Sequence, residues 1–416
     1  ALPLQFAFMI LPWLRFVIGG LGVWFLAREL GLGTRGSLVA CLIYPLSGLS
    51  VAWILVPMSN AFALVPWVLW SVERIANGKS GWRMLSVTAG LSLLSGHPET
   101  VIHTAMISGL YLLVRGSRDI RRAWAGFVVG WIVAGMLSAV VNLPFLFTLL
   151  ESSKWLHEGS GGSAALDWIS VLAQPLRIVL PDMTGNPALG TWWGPFNYIG
   201  TTVYAGTLTI LLASAGLGDF WKDRRWLAVS AILVFSFLAV YILPLGFDLI
   251  KEIPIFGKMV HHRLRFAIGL SLALLAGFGF NRWLEGEGKT LLIGTATVAS
   301  LLAAAWLGLA DLWRERGSID TQLYWTLWVL GSAIIFSFSL LLRPDYRKHI
   351  WFAVPVILVV DLLAAHGRIN PGLSLGKLYP VTPAVEFLKD KPGRVTGTGE
   401  SLHPDAAMVY GLYDIR

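Results

Sequence analysis

The sequence predicts an all-α polytopic membrane protein with about 11–12 transmembrane helices and long extracytoplasmic loops. Of its 416 residues, 56% are hydrophobic and 13% are charged, whereas a soluble globular chain is about half apolar and about a quarter charged. The apolar residues come in blocks of about 20, the length that crosses about 30 Å of hydrocarbon. A water-soluble chain of this size could not bury so much apolar surface in one core.

Twelve apolar blocks are separated by charged breaks or by breaks rich in Pro and Gly. The short segment 57–60 joins the second and third blocks, which form either two full spans or one broken pair, so the count is eleven or twelve. The blocks lie near residues 4–28, 36–56, 60–76, 82–96, 98–114, 123–149, 202–217, 226–243, 264–281, 290–310, 319–342 and 349–366.

Basic residues predict the orientation of these blocks. Alternate loops, counted from 29–35, carry Lys and Arg, whereas the short loops at 57–60 and 96–98 between them carry none. The positive-inside rule places the basic loops in the cytoplasm. We therefore expect a membrane domain over residues 1–366, with an extracytoplasmic loop at 150–201 that contains short helices. We interpret the tail 367–416 as the truncated start of a C-terminal extracytoplasmic domain.

In this orientation the first block runs inward from the outer face, yet it begins without Met or a charged leader. We therefore expect an upstream span that carries its N-terminus across the membrane. The net charge of +8 is typical of basic loops against anionic lipid, so membrane lipid is a predicted partner and nucleic acid is not. The single Cys41 excludes an intrachain disulfide framework.

The turn before the 98–114 block carries two ionisable residues, His97 and Glu99. Pro98 between them suits the first turn of a helix, so both side chains should lie at the start of that helix. They could bind a cation or take part in acid–base chemistry. The alternative is a capped helix start with a hydrogen-bonded histidine, and the sequence leaves both interpretations open.

The loop at 150–201 contains a run of polar and aromatic residues among Gly and Pro, which form tight turns. Trp together with Asn and Tyr is typical of carbohydrate-binding surfaces, where rings stack and polar tips donate hydrogen bonds. An ordered loop resting on the membrane interface is the alternative. The candidate residues are Asp182, Asn186, Trp193, Asn197 and Tyr198.

A basic cluster precedes the 264–281 block: Lys258, His261, His262, Arg263 and Arg265. Arginine binds phosphate through paired hydrogen bonds, so recognition of a lipid head group or of a phosphate-bearing substrate is expected. The two adjacent histidines cannot share one helix face, and no metal site is predicted there. The chain also carries no phosphate-binding loop, dinucleotide fingerprint or serine elbow.

An ordered set of short motifs resembles the bacterial YfhO family of membrane proteins, which are envelope glycosyltransferases of the GT-C type. The set departs from the family at His261 and His262, where a more apolar stretch containing proline is expected. The motifs occupy 19–22, 26–31, 44–48, 94–99, 180–182, 185–187, 193–195, 263–266, 361–362 and 410–414.

The resemblance implies a GT-C-like fold in the bacterial cytoplasmic membrane and transfer of a sugar from a polyprenyl-phosphate-linked donor. The acceptor would be a cell-envelope polymer of the teichoic-acid type or a glycolipid. It implies that the catalytic carboxylate lies upstream of residue 1, with His97 and Glu99 as contributors. No cofactor is required by the resemblance, which leaves a divalent metal open. The alternatives are a transporter or flippase of a lipid-linked substrate and a non-catalytic membrane scaffold.

The resemblance also distributes the candidate residues between two substrates. The donor phosphate would be bound by the basic cluster at Lys258, His262, Arg263 and Arg265. The sugar or the acceptor would be bound in the loop at 150–201, by Asp182, Asn186, Trp193, Asn197 and Tyr198.

Overall fold

The structure is a computed structural model. It describes residues 4–151, 168–195, 197–242, 259–287, 289–367, 369–370, 374, 377, 379–397 and 406–414. They cluster into two units, one of residues 8–369 and one of residues 1–7 with 370–416.

The larger unit is a bundle of α-helices, and short turns and 3₁₀ segments join those whose connections the structure describes. Its first seven helices are α1 (Leu4–Glu29), α2 (Thr34–Leu46), α3 (Gly48–Ala52), α4 (Met58–Ala76), α5 (Gly81–Leu93), α6 (Pro98–Arg115) and α7 (Ile120–Glu151). The helices that follow are α8 (Trp168–Ala173), α9 (Tyr198–Thr201), α10 (Thr207–Gly216), α11 (Arg224–Phe237), α12 (Arg265–Leu284), α13 (Lys289–Glu315), α14 (Ile319–Phe338), α15 (Pro344–Ile350) and α16 (Ala353–His366).

The predicted fold class is confirmed, because every predicted apolar block corresponds to a helix or a broken helix in this list. Among the described residues, six helices are long and apolar enough to cross a membrane, namely α1, α7, α11 with its π-helical extension, α12, α13 and α14. The pair α15 and α16 makes a seventh candidate if it is one span bent by 52°. The remaining blocks are helical but shorter or more polar, and their crossing of the membrane stays a prediction.

Two blocks contain breaks that periodicity did not predict. The 36–56 block divides at Ser47, whose extended backbone ends α2 and begins α3. The 202–217 block becomes helical only at Thr207, since Gly206 takes a positive φ of 101°, which glycine adopts without steric cost. The non-helical residues 202–206 are buried, so long-range bonds must satisfy their backbone groups.

Helix α12 lies at the centre of the bundle, because nearly all its residues are buried and it packs against α2, α10 and α11. Its closest approach is to α10, through glycines on both helices. A β-carbon added at Gly279 would overlap the carbonyl oxygen of Leu212, and one at Gly216 would overlap that of Leu275. Small residues at such crossings allow the backbones of membrane helices to approach closely.

Turns and charges distinguish two ends of the bundle. At the end that we call the Glu29 end, Lys79 forms an ion pair with Glu29, and the Nε of Arg115 lies 3.0 Å from Glu73. The opposite end, the His97 end, contains the turn between α5 and α6 and the start of α12. Which of the two ends faces the cytoplasm stays a prediction.

The smaller unit contains two short helices, α17 (Pro383–Lys389) and α18 (Ala406–Val409). Two strands of two residues each, β1 (Arg394–Val395) and β2 (Tyr413–Asp414), pair in parallel. Thr382 caps α17 by accepting a hydrogen bond from the backbone N–H of Val385, at 3.3 Å. That this segment begins an extracytoplasmic domain stays a prediction.

The glycine crossing can be tested by Gly279→Ala. The added methyl group has to push α10 and α12 apart, so we expect the free energy of unfolding to fall by about 1–3 kcal/mol. The measurement is the melting temperature of the detergent-purified protein. Gly308→Ala is the matched control, because no atom lies within 4 Å of the added β-carbon on α13. Equal melting temperatures for the two variants would contradict the close crossing.

Candidate functional site

The cap of α6 carries the first predicted site residue, His97. Its Nε2 lies 3.0 Å from Nη1 of Arg263, and an arginine can only donate, so Nε2 accepts. On the other side of the ring, Nδ1 lies 2.8 Å from the hydroxyl oxygen of Thr100 and 3.3 Å from the backbone nitrogen of the same residue. Burial, and next the charge of Arg263, lower the pKa of His97 to about 4. His97 is therefore a neutral acceptor near pH 7.

Glu99 holds the start of α12 against the start of α6. One carboxylate oxygen forms an ion pair with Arg263, and the other accepts a hydrogen bond from the backbone N–H of Val260. The side chains of Arg263 and Glu99 are 25% and 18% exposed. This ion pair can therefore be reached from the surface.

The adjacent histidines of the basic cluster point to different neighbours. Nδ1 of His261 lies 3.5 Å from Nε2 of the buried His103, whereas His262 lies beside Gly200, at 3.4 Å from a β-carbon placed there. We call His97, Glu99, His103, His261 and Arg263 the His97–Arg263 cluster. Across the described residues, no three His, Cys, Asp or Glu side chains are grouped to hold a metal ion.

Arg265 connects the start of α12 to the long loop, by which we mean the described residues 168–195 and 197–206. It is buried, and its Nη1 donates to the carbonyl oxygens of Gly200, at 2.9 Å, and His262, at 3.1 Å. Its guanidinium also lies 5.3 Å from the ring centre of Tyr241. In this arrangement Arg265 positions the loop beside the cluster.

Three of the predicted loop residues are bonded to one another. The buried carboxylate of Asp182 accepts hydrogen bonds from the hydroxyl of Tyr198, at 2.7 Å, and from the amide of Asn186, at 3.2 Å. Burial raises the pKa of Asp182, while these two bonds and the charge of Arg177 lower it. The loop is also held by Gln322 of α14, whose amide donates to the carbonyl oxygen of Asp182 at 2.5 Å.

Arg177 is a site residue that the sequence analysis missed. It is fully buried, and its guanidinium lies 5.1 Å from the ring centre of Trp192 and 4.8 Å from that of Tyr198. It donates hydrogen bonds to Thr201 and to the carbonyl oxygen of Pro181. Burial lowers its pKa to about 10, so it stays charged near pH 7. The available signal was a lone cation inside the apolar run 176–180.

The other predicted residues are placed as follows. Asn186 also caps a 3₁₀ turn through the N–H of Ala188, at 2.9 Å. The exposed Asn197 caps α9 through the N–H of Gly200, at 2.5 Å. Trp193 is half-buried and packs against the core, and Lys258 lies outside the described residues. The His97 end thus combines three separated parts of the chain, namely the start of α6, the long loop and residues 259–265.

Comparison with known proteins gives one match. The family model described as bacterial membrane protein YfhO matches residues 1–371. The chain belongs to the YfhO family. The match covers all of residues 8–369, the larger unit. The searches of curated proteins and of solved structures returned no significant match.

In this YfhO-family protein the buried bond between Tyr198 and Asp182 can be tested by Tyr198→Phe. Loss of the hydroxyl leaves a buried carboxylate oxygen short of a donor, so we expect a cost of about 1–3 kcal/mol in the free energy of unfolding. The melting temperature should fall accordingly. Tyr346→Phe is the control, since Tyr346 is 63% exposed. An unchanged melting temperature in Tyr198→Phe would refute a stabilising bond.

The neutral state of His97 predicts a pH dependence. Its folded pKa of about 4 lies below the ordinary value of 6.5, so its contribution to stability is complete above about pH 6.5 and is lost as the pH falls towards 4. We expect His97→Gln to flatten part of the fall in melting temperature between pH 6.5 and 4. His349→Gln, at an exposed histidine, should leave the profile unchanged. Identical profiles for wild type and His97→Gln would contradict the prediction.

Proposed function

We propose that this protein transfers a sugar from a polyprenyl-phosphate-linked donor to a cell-envelope acceptor at the His97 end of the bundle, on the outer face of the bacterial cytoplasmic membrane. The observation that carries the proposal is the bridge that Arg263 makes to His97 and Glu99. It joins the start of α6 to the start of α12, next to the long loop. Membership of a bacterial membrane protein family is in keeping with a lipid-borne substrate.

Arg263 is the residue that we assign to the donor phosphate. A guanidinium has five donors in a planar fork that fits phosphate oxygens, and this one is partly exposed. The N-termini of α6 and α12 lie on either side of it, and helix N-termini favour anions. Arrival of the phosphate would exchange the carboxylate of Glu99 for phosphate oxygens. His262 and the buried Arg265 would position the turn that presents Arg263, and Lys258 is proposed for the same phosphate.

The long loop is proposed to bind the sugar and the acceptor. Asn197 is exposed and Trp193 is half-buried, and an indole face with an amide suits a sugar ring. Asn186 and Tyr198 both donate hydrogen bonds to Asp182. Their proposed role is to hold the loop in the shape that faces the sugar.

In the transfer, the bond between the anomeric carbon and the phosphate oxygen breaks, and a new bond forms to an acceptor hydroxyl oxygen. The phosphate leaves with the electron pair, which Arg263 stabilises, and the hydroxyl proton passes to a base. Glu99, once released from Arg263, and the neutral His97 are the contributors that the cluster offers for this proton. No nucleotide is required, because the lipid phosphate is the leaving group.

Arg263→Ala tests the proposal. Without the guanidinium the leaving phosphate loses its cation, so we expect sugar transfer to fall about a hundredfold or more, with partial recovery in Arg263→Lys. The assay follows a radiolabelled hexose from a polyprenyl-phosphate donor into envelope material, using full-length protein in liposomes. Gel filtration of each variant checks that it is folded.

Arg314→Ala is the matched control, because Arg314 lies at the same end of the bundle, is 66% exposed and pairs with Asp311 of the same helix. It should transfer sugar like the wild type. Movement of the labelled lipid across the liposome without transfer would refute glycosyl transfer in favour of a flippase. Equal transfer by Arg263→Ala and the wild type would refute the assigned site.

A further inference from the structure

A cavity of about 930 Å³ lies at the Glu29 end, far along the helices from the His97–Arg263 cluster. It opens between the turn at 77–80, the turn at 116–119 and the first turns of α7. Five basic residues and one acidic residue line it. The basic ones are Lys79, Arg115, Arg118, Arg122 and Arg224, and the acidic one is Asp119. We call this cavity the basic pocket.

The basic residues of this pocket differ in their partners. Lys79 is paired with Glu29, and Arg115 is held by Glu73. In the part of the chain that the structure describes, no hydrogen bond or ion pair engages the side chains of Arg118, Arg122 and Arg224. Three cations around one cavity repel each other unless an anion lies between them.

The acidic residue of the pocket does not neutralise these arginines. The carboxylate of Asp119 accepts a hydrogen bond from the backbone N–H of Arg122, at 3.0 Å, and so caps the start of α7. This carboxylate offsets part of the positive potential at the start of the 32-residue helix, so the arginines are the main source of positive potential in the pocket. A phosphate group matches the arginine forks.

The surface beside the pocket is apolar. Val129 lines the pocket and is 43% exposed. Ile132, Met136 and Val140 follow it at helical spacing on α7 and are 51%, 70% and 81% exposed. Trp82, an amphipathic ring of the kind that lies at head-group depth, lines the pocket as well. A small inorganic anion would make no use of this apolar stripe, whereas a lipid chain would cover it.

We propose that the basic pocket binds the phosphate head group of an anionic phospholipid, with an acyl chain lying along the exposed stripe of α7. Arg118, Arg122 and Arg224 would contact the phosphate. The lipid would bridge the turn at 77–80 and the start of α7, and so would stabilise the packing of α5 against α7. This site is separate from the proposed sugar transfer and does not depend on it.

The test compares two double variants of the full chain with the same change of charge. Arg118→Gln with Arg122→Gln removes two pocket arginines. Arg121→Gln with Arg343→Gln removes two exposed arginines at the same end that do not line the pocket. Delipidated protein in a neutral detergent is titrated with phosphatidylglycerol, and binding is read by native mass spectrometry and by the rise in melting temperature. Phosphatidylcholine and inorganic phosphate are titrated in parallel.

We expect the wild type to retain phosphatidylglycerol in preference to phosphatidylcholine, and the pocket variant to bind it about tenfold more weakly. The control variant should bind like the wild type. Equal weakening in both variants would show a general surface attraction and overturn the proposal. Competition by inorganic phosphate at the concentration of the lipid would overturn the lipid as the ligand, as would equal retention of both lipids.

Discussion

The rest of the structure depends on the rule that backbone N–H and C=O groups inside a membrane protein must be bonded within the protein. Within the helical part of each apolar block, the hydrogen bonds of the helix satisfy these backbone groups. Where the chain leaves the helix at 202–206, the carbonyl oxygen of Tyr204 accepts from the N–H of Gly48 at 2.9 Å and from His366 at 3.0 Å. The carboxylate of Asp361 accepts from the N–H of Thr207 at 2.8 Å. At this break the irregular backbone is therefore surrounded by side chains and neighbouring helices that satisfy it.

The same rule governs the charges, because a buried carboxylate is costly unless cations and donors surround it. Glu73 is fully buried and satisfied by Arg115 and by the hydroxyl of Tyr111, at 2.7 Å. The carboxylate of Glu99 has comparable partners in Arg263 and the N–H of Val260, but the ion pair between Glu99 and Arg263 is partly exposed. The first arrangement ties helices together, whereas the second is partly exposed, which the proposed exchange with a donor phosphate requires.

Much of the candidate site could be predicted from local patterns. Pro98 placed His97 at a helix start, and the run of Arg and His before α12 indicated a basic cluster. The partners could not be predicted, because His97 and Arg263 are 166 residues apart in sequence. The bonds among Asp182, Asn186 and Tyr198 were missed for another reason. Polar residues in a loop look alike in sequence whether they face solvent or each other. Arg177 was missed because nothing local shows that two aromatic rings enclose it.

The sequence by itself determined the membrane class and the positions of the helical blocks, because block length and the spacing of charged and Pro- or Gly-rich breaks are local properties. Only the tertiary structure decided which helix is central, where blocks break at Ser47 and Gly206, and which polar groups meet. These features depend on contacts between distant helices. The glycines of α10 and α12 set one distance of closest approach, and the energy of each buried polar group depends on partners brought to it by packing.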